Sequence, residues 1–162
     1  MSMNSGLRVV ESVDLQRYCG TWYEIARLPN RFELQCAGEV TANYTLLENG
    51  TIRVVNSCKR LDGQFTKAEG VARCSENGPN SKLKVRFAPA FLSPLKWVWA
   101  DYWILELSPD YSFAVIGGPS LKYFWILSRT PKMSDEIYQG ILDRAKKVGY
   151  DTANVVKTRQ SF

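Results

Sequence analysis

The stretch Gly20-Thr21-Trp22-Tyr23-Glu24-Ile25-Ala26-Arg27 decides the fold, together with Trp125-Ile126-Leu127-Ser128-Arg129-Thr130-Pro131 near the other end of the chain. Either segment alone would be an ordinary strand carrying an ordinary core residue. Between them runs a series of short alternating segments, enough for a sheet to curl round and bring its first strand beside its last. At such a closure Trp22 and Arg129 can meet, guanidinium over indole, as the ring quadrupole favours.

Working outward from these two, strand signals recur at regular spacing. They cover Thr21 to Leu28, Glu39 to Leu47, Thr51 to Arg60, Gln64 to Cys74, Ser81 to Phe87, Trp99 to Leu107, Ser112 to Ile116 and Lys122 to Arg129. Turn chemistry separates them: Asn49-Gly50, Asp62-Gly63 and Asn77-Gly78-Pro79 all tolerate positive φ or break a strand. After the last strand, Ser134 can cap a helix over about 134–148. Asp135 and Glu136 suit its positive end, and Arg144, Lys146 and Lys147 its negative end. Its apolar stripe reads Ile137, Ile141, Ala145 and Val148, so it should pack outside the sheet. The pattern predicts an all-β fold: an eight-stranded antiparallel up-and-down barrel, about 20–130, with one C-terminal α-helix packed outside. No linker or repeat divides residues 1–162, which are expected to form a single domain.

Composition excludes several functions. The chain has no histidine, which removes Ser-His and Cys-His dyads and imidazole metal ligands. The four cysteines (Cys19, Cys36, Cys58, Cys74) have no Cys-x-x-Cys spacing, so no metal site is expected. An even count of scattered cysteines suits disulfides in an oxidising compartment. The net charge of +5 comes from dispersed basic residues, without the clustered cations and aromatics of a nucleic-acid groove. No apolar run is long enough for a transmembrane helix, and Met1 to Gly6 has no apolar signal core.

These residues resemble the lipocalin family. Gly20-Thr21-Trp22 is similar to its first signature, Asp110-Tyr111 to its second (with Pro109 where Thr is usual), and Ser128-Arg129 to its third. Gly20 to Arg27, Ala42-Asn43-Tyr44-Thr45-Leu46 and Tyr123 to Pro131 are similar to the bacterial Blc type of outer-membrane lipoprotein. They also resemble plant temperature-induced lipocalins and apolipoprotein D. The likeness spans about residues 12 to 158. It implies binding, transport or storage of a fatty acid, lysophospholipid or related lipid, with no catalysis and no cofactor. It also implies a periplasmic, outer-membrane-associated location, although no lipid-attachment cysteine follows a signal sequence here. Self-association into a homodimer is not derivable from the sequence.

Alternation assigns the interior. In Ser81 to Phe87 the cations Lys82, Lys84 and Arg86 face out, so Leu83, Val85 and Phe87 face in. The same reading places Val40, Ala42 and Tyr44 inward, then Ile52, Val54, Asn56 and Cys58, then the small Ala68, Gly70 and Ala72. Tyr102 and Ile104, Phe113 and Val115, and Tyr123, Trp125 and Leu127 complete the wall. From these the expected ligand contacts are Ala42, Tyr44, Val54, Asn56, Ala68, Ala72, Val85, Phe87, Tyr102, Ile104, Val115, Tyr123 and Trp125, with Phe91 and Trp97 from the loop at the mouth. Asn56 is the polar exception: its amide needs either a protein partner or a ligand headgroup. Gly20, Trp22 and Arg129 are assigned to closure of the barrel rather than to binding.

With Trp22 at the closed end, the mouth is formed by 29–37, 60–64, 88–98 and 117–121. The segment from Ala88 to Val98 is apolar and proline-bounded, so Phe91, Leu92, Leu95 and Trp97 are expected to form a lid or touch a membrane surface. Cys36 and Cys58 fall toward the mouth ends of adjacent antiparallel strands, which favours a disulfide between them; Cys19 and Cys74 are left unassigned. Two alternatives stay open. One is a thiol-dependent enzyme using Cys36, as in the lipocalin enzyme whose reactive thiol lies near the start of the second strand. The other is a carrier of a retinoid, sterol or tetrapyrrole.

Overall fold

A computed structural model describes residues 7–30, 33–87 and 99–161. The chain opens with a short helix, α1 (Leu15–Tyr18), whose first turn is capped by Asp14 accepting from the Arg17 amide at 3.2 Å. Eight strands follow: β1 (Gly20–Arg27), β2 (Cys36–Leu46), β3 (Ile52–Arg60), β4 (Phe65–Cys74), β5 (Lys82–Phe87), β6 (Ala100–Leu107), β7 (Phe113–Gly117) and β8 (Phe124–Ser128). Helix α2 (Asp135–Lys147) and a two-residue strand, β9 (Val156–Lys157), complete the chain.

Each strand pairs antiparallel with the next, and β1 pairs with both β2 and β8, so the sheet closes on itself. This is the eight-stranded antiparallel barrel with its C-terminal helix. Closure removes the exposed edges that an open sheet would leave. β1 diverges from β2 beyond Tyr23, and the C-terminal segment fills that gap. β9 pairs with Ala26 and Arg27, the Glu39 amide donates to the Arg159 carbonyl at 2.8 Å, and the Gln160 amide bridges the carbonyls of Glu24 and Val40. Gly38 is required there, because a Cβ would come within 2.6 Å of the Arg159 carbonyl oxygen.

Two apolar clusters form. One lies inside the barrel toward its closed end and includes Trp22, Ile104, Ile116 and Leu127. The other lies between the barrel and α2, joining Ile25, Val115, Phe124 and Ile126 to Tyr138, Ile141 and Ala145. Ser134 caps α2 through the Ile137 amide, and Gly149, at φ +111°, follows the helix. The buried face is Tyr138, Ile141 and Ala145; Ile137, expected on that stripe, is turned to solvent instead.

Of the register shifts in the sheet, those in β1 and β6 reset the inward phase, while β2, which also carries shifts at Gly38, keeps its alternation. In β1 the register shifts between Glu24 and Ala26, so Trp22 and Glu24 face in while Ala26 faces α2. In β6 it shifts between Ile104 and Glu106, so Leu105 and Glu106 both face out and Leu107 returns to the inside.

Candidate functional site

The barrel encloses a cavity of about 400 Å³. Its walls come from every strand of the closed sheet, because alternate side chains of each point inward. Ala42 and Tyr44 on β2, Val54 and Asn56 on β3, and Ala68 and Ala72 on β4 line it. So do Val85 and Phe87 on β5, Tyr102 and Ile104 on β6, Tyr123 just before β8, and Trp125 within it. Ala68 stands near the rim, where the cavity opens. Gly70 supplies less room than its size suggests: a Cβ there would come within 2.4 Å of the Arg86 carbonyl oxygen, so it serves the close approach of β5.

Val115 does not line the cavity. It lies in the outer cluster under α2, and the inward residues of β7 are Ala114 and Ile116. The reason is that α2 covers the outside of β7, so this strand is apolar on both faces and alternation carries no signal. Phe113 is likewise on the outer side. Phe91 and Trp97, with the rest of 88–98, lie outside the described residues.

At the closed end three tyrosines satisfy one another. The Tyr102 hydroxyl is 2.7 Å from that of Tyr18 and 2.8 Å from that of Tyr44. Burial pushes all three phenols up, Tyr44 to about 12, so this floor is uncharged in any ordinary buffer. Beneath it the Trp22 indole donates to the Tyr18 carbonyl at 2.8 Å, and Arg129 lies over the Trp22 ring. Gly20, at φ +108°, begins β1 against this contact; a Cβ would stand 3.2 Å from an Arg129 guanidinium nitrogen. Tyr111, at φ 59°, offers its carbonyl to Arg129, its hydroxyl to the Asp14 amide and its ring to Arg17.

A carboxyl pair on the β1 and β8 side has no counterpart in the sequence reading. Glu24 is 3% exposed and Glu33, on the loop before β2, reaches in beside it. Burial holds the Glu24 carboxyl well above the usual range, reinforced by the charge of Glu33 and a hydrogen bond with it; the Thr158 hydroxyl and the Arg27 guanidinium oppose this. Arg27 donates to Glu24 at 2.9 Å and pairs with Glu33 at 3.3 Å. The Trp125 indole donates to Glu33 at 2.8 Å, and Tyr123 stacks on Trp125 with centroids 5.8 Å apart. The inward phase that starts at Trp22 was the signal for Glu24; nothing local marks Glu33.

Across the barrel, on β3 and β4, Asn56, Thr66 and Lys67 border the mouth, while Arg86 on β5 turns its guanidinium over the Trp99 ring, 4.7 Å from its centroid. Among the described residues no side chain hydrogen-bonds the Asn56 amide, whereas the tyrosines at the floor are paired. Cys36 and Cys58 form a disulfide with Cα atoms 5.6 Å apart, stapling β2 to β3 at the mouth. A thiol mechanism at Cys36 is therefore without its thiolate. Cys19 and Cys74 are free thiols, both pushed up by burial.

Comparison with known proteins fits this geometry. The lipocalin-like domain family matches residues 13–160. Temperature-induced lipocalin-1 of Arabidopsis thaliana is 41% identical over 163 residues, 99% of this chain and 87% of that protein. Outer membrane lipoprotein Blc of Escherichia coli K12 is 37% identical, over 96% of this chain and 84% of that one. Insecticyanin of the tobacco hornworm Manduca sexta shares the fold, with a TM-score of 0.73 at 20% identity, over 96% of this chain and 85% of that one. The closed barrel, its Trp–Arg seal, its apolar cavity and these sequence relationships lead to one conclusion: this chain belongs to the lipocalin family, generally non-enzymatic proteins that bind small hydrophobic ligands.

Proposed function

We propose that the chain carries a fatty acid or a lysophospholipid, acyl chain in the barrel and headgroup at the mouth. The observation that carries this reading is the polarity gradient of the cavity. Its depth is apolar and aromatic, while Asn56, Thr66 and Lys67 gather toward the opening on β3 and β4. An anionic carboxylate or phosphate meets the Asn56 amide and Lys67 there and leaves the acyl chain to the dry interior. The binding residues in this proposal are the cavity-lining ones named above, with Phe91 and Trp97 added from the 88–98 segment. No reaction is assigned, since Cys36, the thiol the enzymatic alternative needs, is held in a disulfide with Cys58.

Location and membrane contact belong to the same proposal. The Blc relatives are named outer membrane lipoproteins, which supports a periplasmic, outer-membrane-associated place; another relative is a plant protein. The apolar 88–98 segment, between the mouth ends of β5 and β6, suits contact with a bilayer.

Native mass spectrometry of protein purified from its own host tests the ligand class. Masses of fatty acids or lysophospholipids are expected. A retinoid, sterol or tetrapyrrole in the cavity would replace this reading. Flotation with liposomes tests the segment, and equal recovery of wild type and a Phe91→Ser/Leu92→Ser variant would remove it from the proposal.

A further inference from the structure

Three large apolar side chains stand exposed on neighbouring strand ends at the mouth: Leu34 at 77%, Leu61 at 86% and Phe65 at 62%. Their proximity follows from register. Cys36 pairs with Arg60, placing Leu34, two residues before β2, beside Leu61, just after β3. Lys59 pairs with Phe65, the first residue of β4.

The turn itself does not call for these residues. It is closed by the Arg60 amide to the Gln64 carbonyl at 2.8 Å, the Gly63 amide to the Arg60 carbonyl at 2.9 Å and the Gln64 amide to the Asp62 carboxylate at 2.9 Å. Gly63 takes the positive φ, +85°. Any polar residue would serve at 61. A single exposed leucine needs no explanation, but three grouped at one rim do.

Charge and stiffness point the same way. From Lys59 to Lys67 the hairpin carries Lys59, Arg60 and Lys67 against one carboxylate, Asp62, which lies 3.7 Å from Arg60. The Cys36–Cys58 disulfide ties β2 to β3 immediately below, so the tip is presented on a rigid strand end. Thr66 and Lys67 belong both to this hairpin and to the cavity lining. A convex tip of three side chains is far smaller than the roughly 800 Å² per partner of a stable protein interface. It does match the boundary between headgroups and acyl chains, with apolar groups below and cations at phosphate level.

We infer that the β3–β4 hairpin tip, with Leu34 beside it, is a docking point for a bilayer containing anionic phospholipid, setting the mouth against the leaflet. This deepens the lipid-carrier reading and rests on it for its purpose, though not for the binding itself.

The test is co-sedimentation of the full chain with phosphatidylcholine vesicles, with and without phosphatidylglycerol. Wild type should bind the phosphatidylglycerol vesicles, and lose binding at high salt. Leu61→Ser/Phe65→Ser should weaken binding roughly tenfold or more. Lys59→Gln/Arg60→Gln should erase the preference for phosphatidylglycerol while retaining some binding to either vesicle. As these side chains are exposed, the melting temperature should not move, and a Leu61→Trp variant should show blue-shifted emission with vesicles. Wild type that binds neither vesicle, or a Leu61→Ser/Phe65→Ser variant that binds as wild type does, would overturn the proposal. So would a wild-type dimer that this variant dissolves without any vesicle binding, since that would assign the tip to a second copy. Displacement of a fluorescent fatty acid, measured without vesicles, reports separately on the cavity. Loss of that signal in wild type would reject the carrier reading and leave the docking result standing.

Discussion

The Arg129 guanidinium lies 3.9 Å from the centroid of the Trp22 ring while donating to the carbonyls of Thr21, Arg17 and Tyr18. One side chain thus ties the end of β8 to α1 and to the start of β1, with a cation–π contact in the middle. Trp22 is fully buried and its own indole N–H is spent on Tyr18. Both residues belong to the seal at the closed end, not to the cavity wall.

Trp22→Ala should therefore act on stability. Removing a fully buried Trp costs about 3–5 kcal/mol, and a fall of roughly 10 °C or more in melting temperature is expected for a domain of this size. Relative affinities among lipids of different headgroup should not change. Arg129→Lys should also destabilise, because an ammonium cannot reproduce the fork that reaches several carbonyls at once. A Trp22→Ala protein of full stability with an altered lipid preference would refute the assignment.

The carboxyl pair predicts a pH dependence. The Glu24 pKa is raised in the folded state, so folding favours its protonated form. Its contribution is fully present below the unfolded carboxyl pKa of about 4.3 and is lost as pH rises through the folded value. Arg27 and Glu33 are its charged neighbours, and Tyr44 senses its charge. Glu24→Gln keeps an acceptor for Arg27 and Thr158 and a donor toward Glu33. Thermal melts should give a variant that matches wild type near pH 4 and exceeds it by a few degrees at pH 8. Parallel pH curves for the two proteins would remove the raised Glu24 carboxyl as the source of the pH dependence.

What was legible in the chain follows where burial is one-sided. β5 alternates cation with apolar residue because one face is wet and the other lines the barrel, and Leu83, Val85 and Phe87 do face in. β7 carries no such contrast, since α2 covers its outer face. Register resolves what alternation cannot: Ile116 pairs with Trp125 and Ala114 with Leu127, and cross-strand partners share a face. The bulges in β1 and β6 are backbone events with no residue signature here, and Glu33 reaches the cavity only through the path of its loop. The lacing by residues 156–160 depends on where β1 and β2 part company, which no local pattern records.

Val115 and Ile116 separate the two cores experimentally. Val115→Ala should cost about 2 kcal/mol by opening space under α2 and leave ligand affinity unchanged. Ile116→Ala, at a fully buried position on the cavity wall, should lower stability and also shift ligand affinity. Denaturant melts combined with displacement of a fluorescent fatty acid distinguish them. A change of affinity in Val115→Ala as large as that in Ile116→Ala would restore Val115 to the cavity.

Asn56 and Tyr102 both place polar atoms in the cavity, yet they should respond oppositely to loss of those atoms. The Tyr102 hydroxyl bridges Tyr18 and Tyr44, so Tyr102→Phe leaves two buried phenols without it, at a cost of about 1–3 kcal/mol. Its affinity for ligand should barely move, because that hydroxyl is already engaged. The Asn56 amide has no side-chain partner among the described residues, so Asn56→Val removes nothing from the fold and suits a strand. Stability should stay within about 0.5 kcal/mol of wild type. Affinity should fall roughly tenfold for a fatty acid or lysophospholipid if the amide meets the headgroup, as loss of one hydrogen bond to a charged group implies. Titration calorimetry with each lipid, set beside the melting temperature of each variant, reads both axes. An Asn56→Val protein that binds as tightly as wild type would move the headgroup contact elsewhere on the rim, with Thr66 and Lys67 the next side chains to replace.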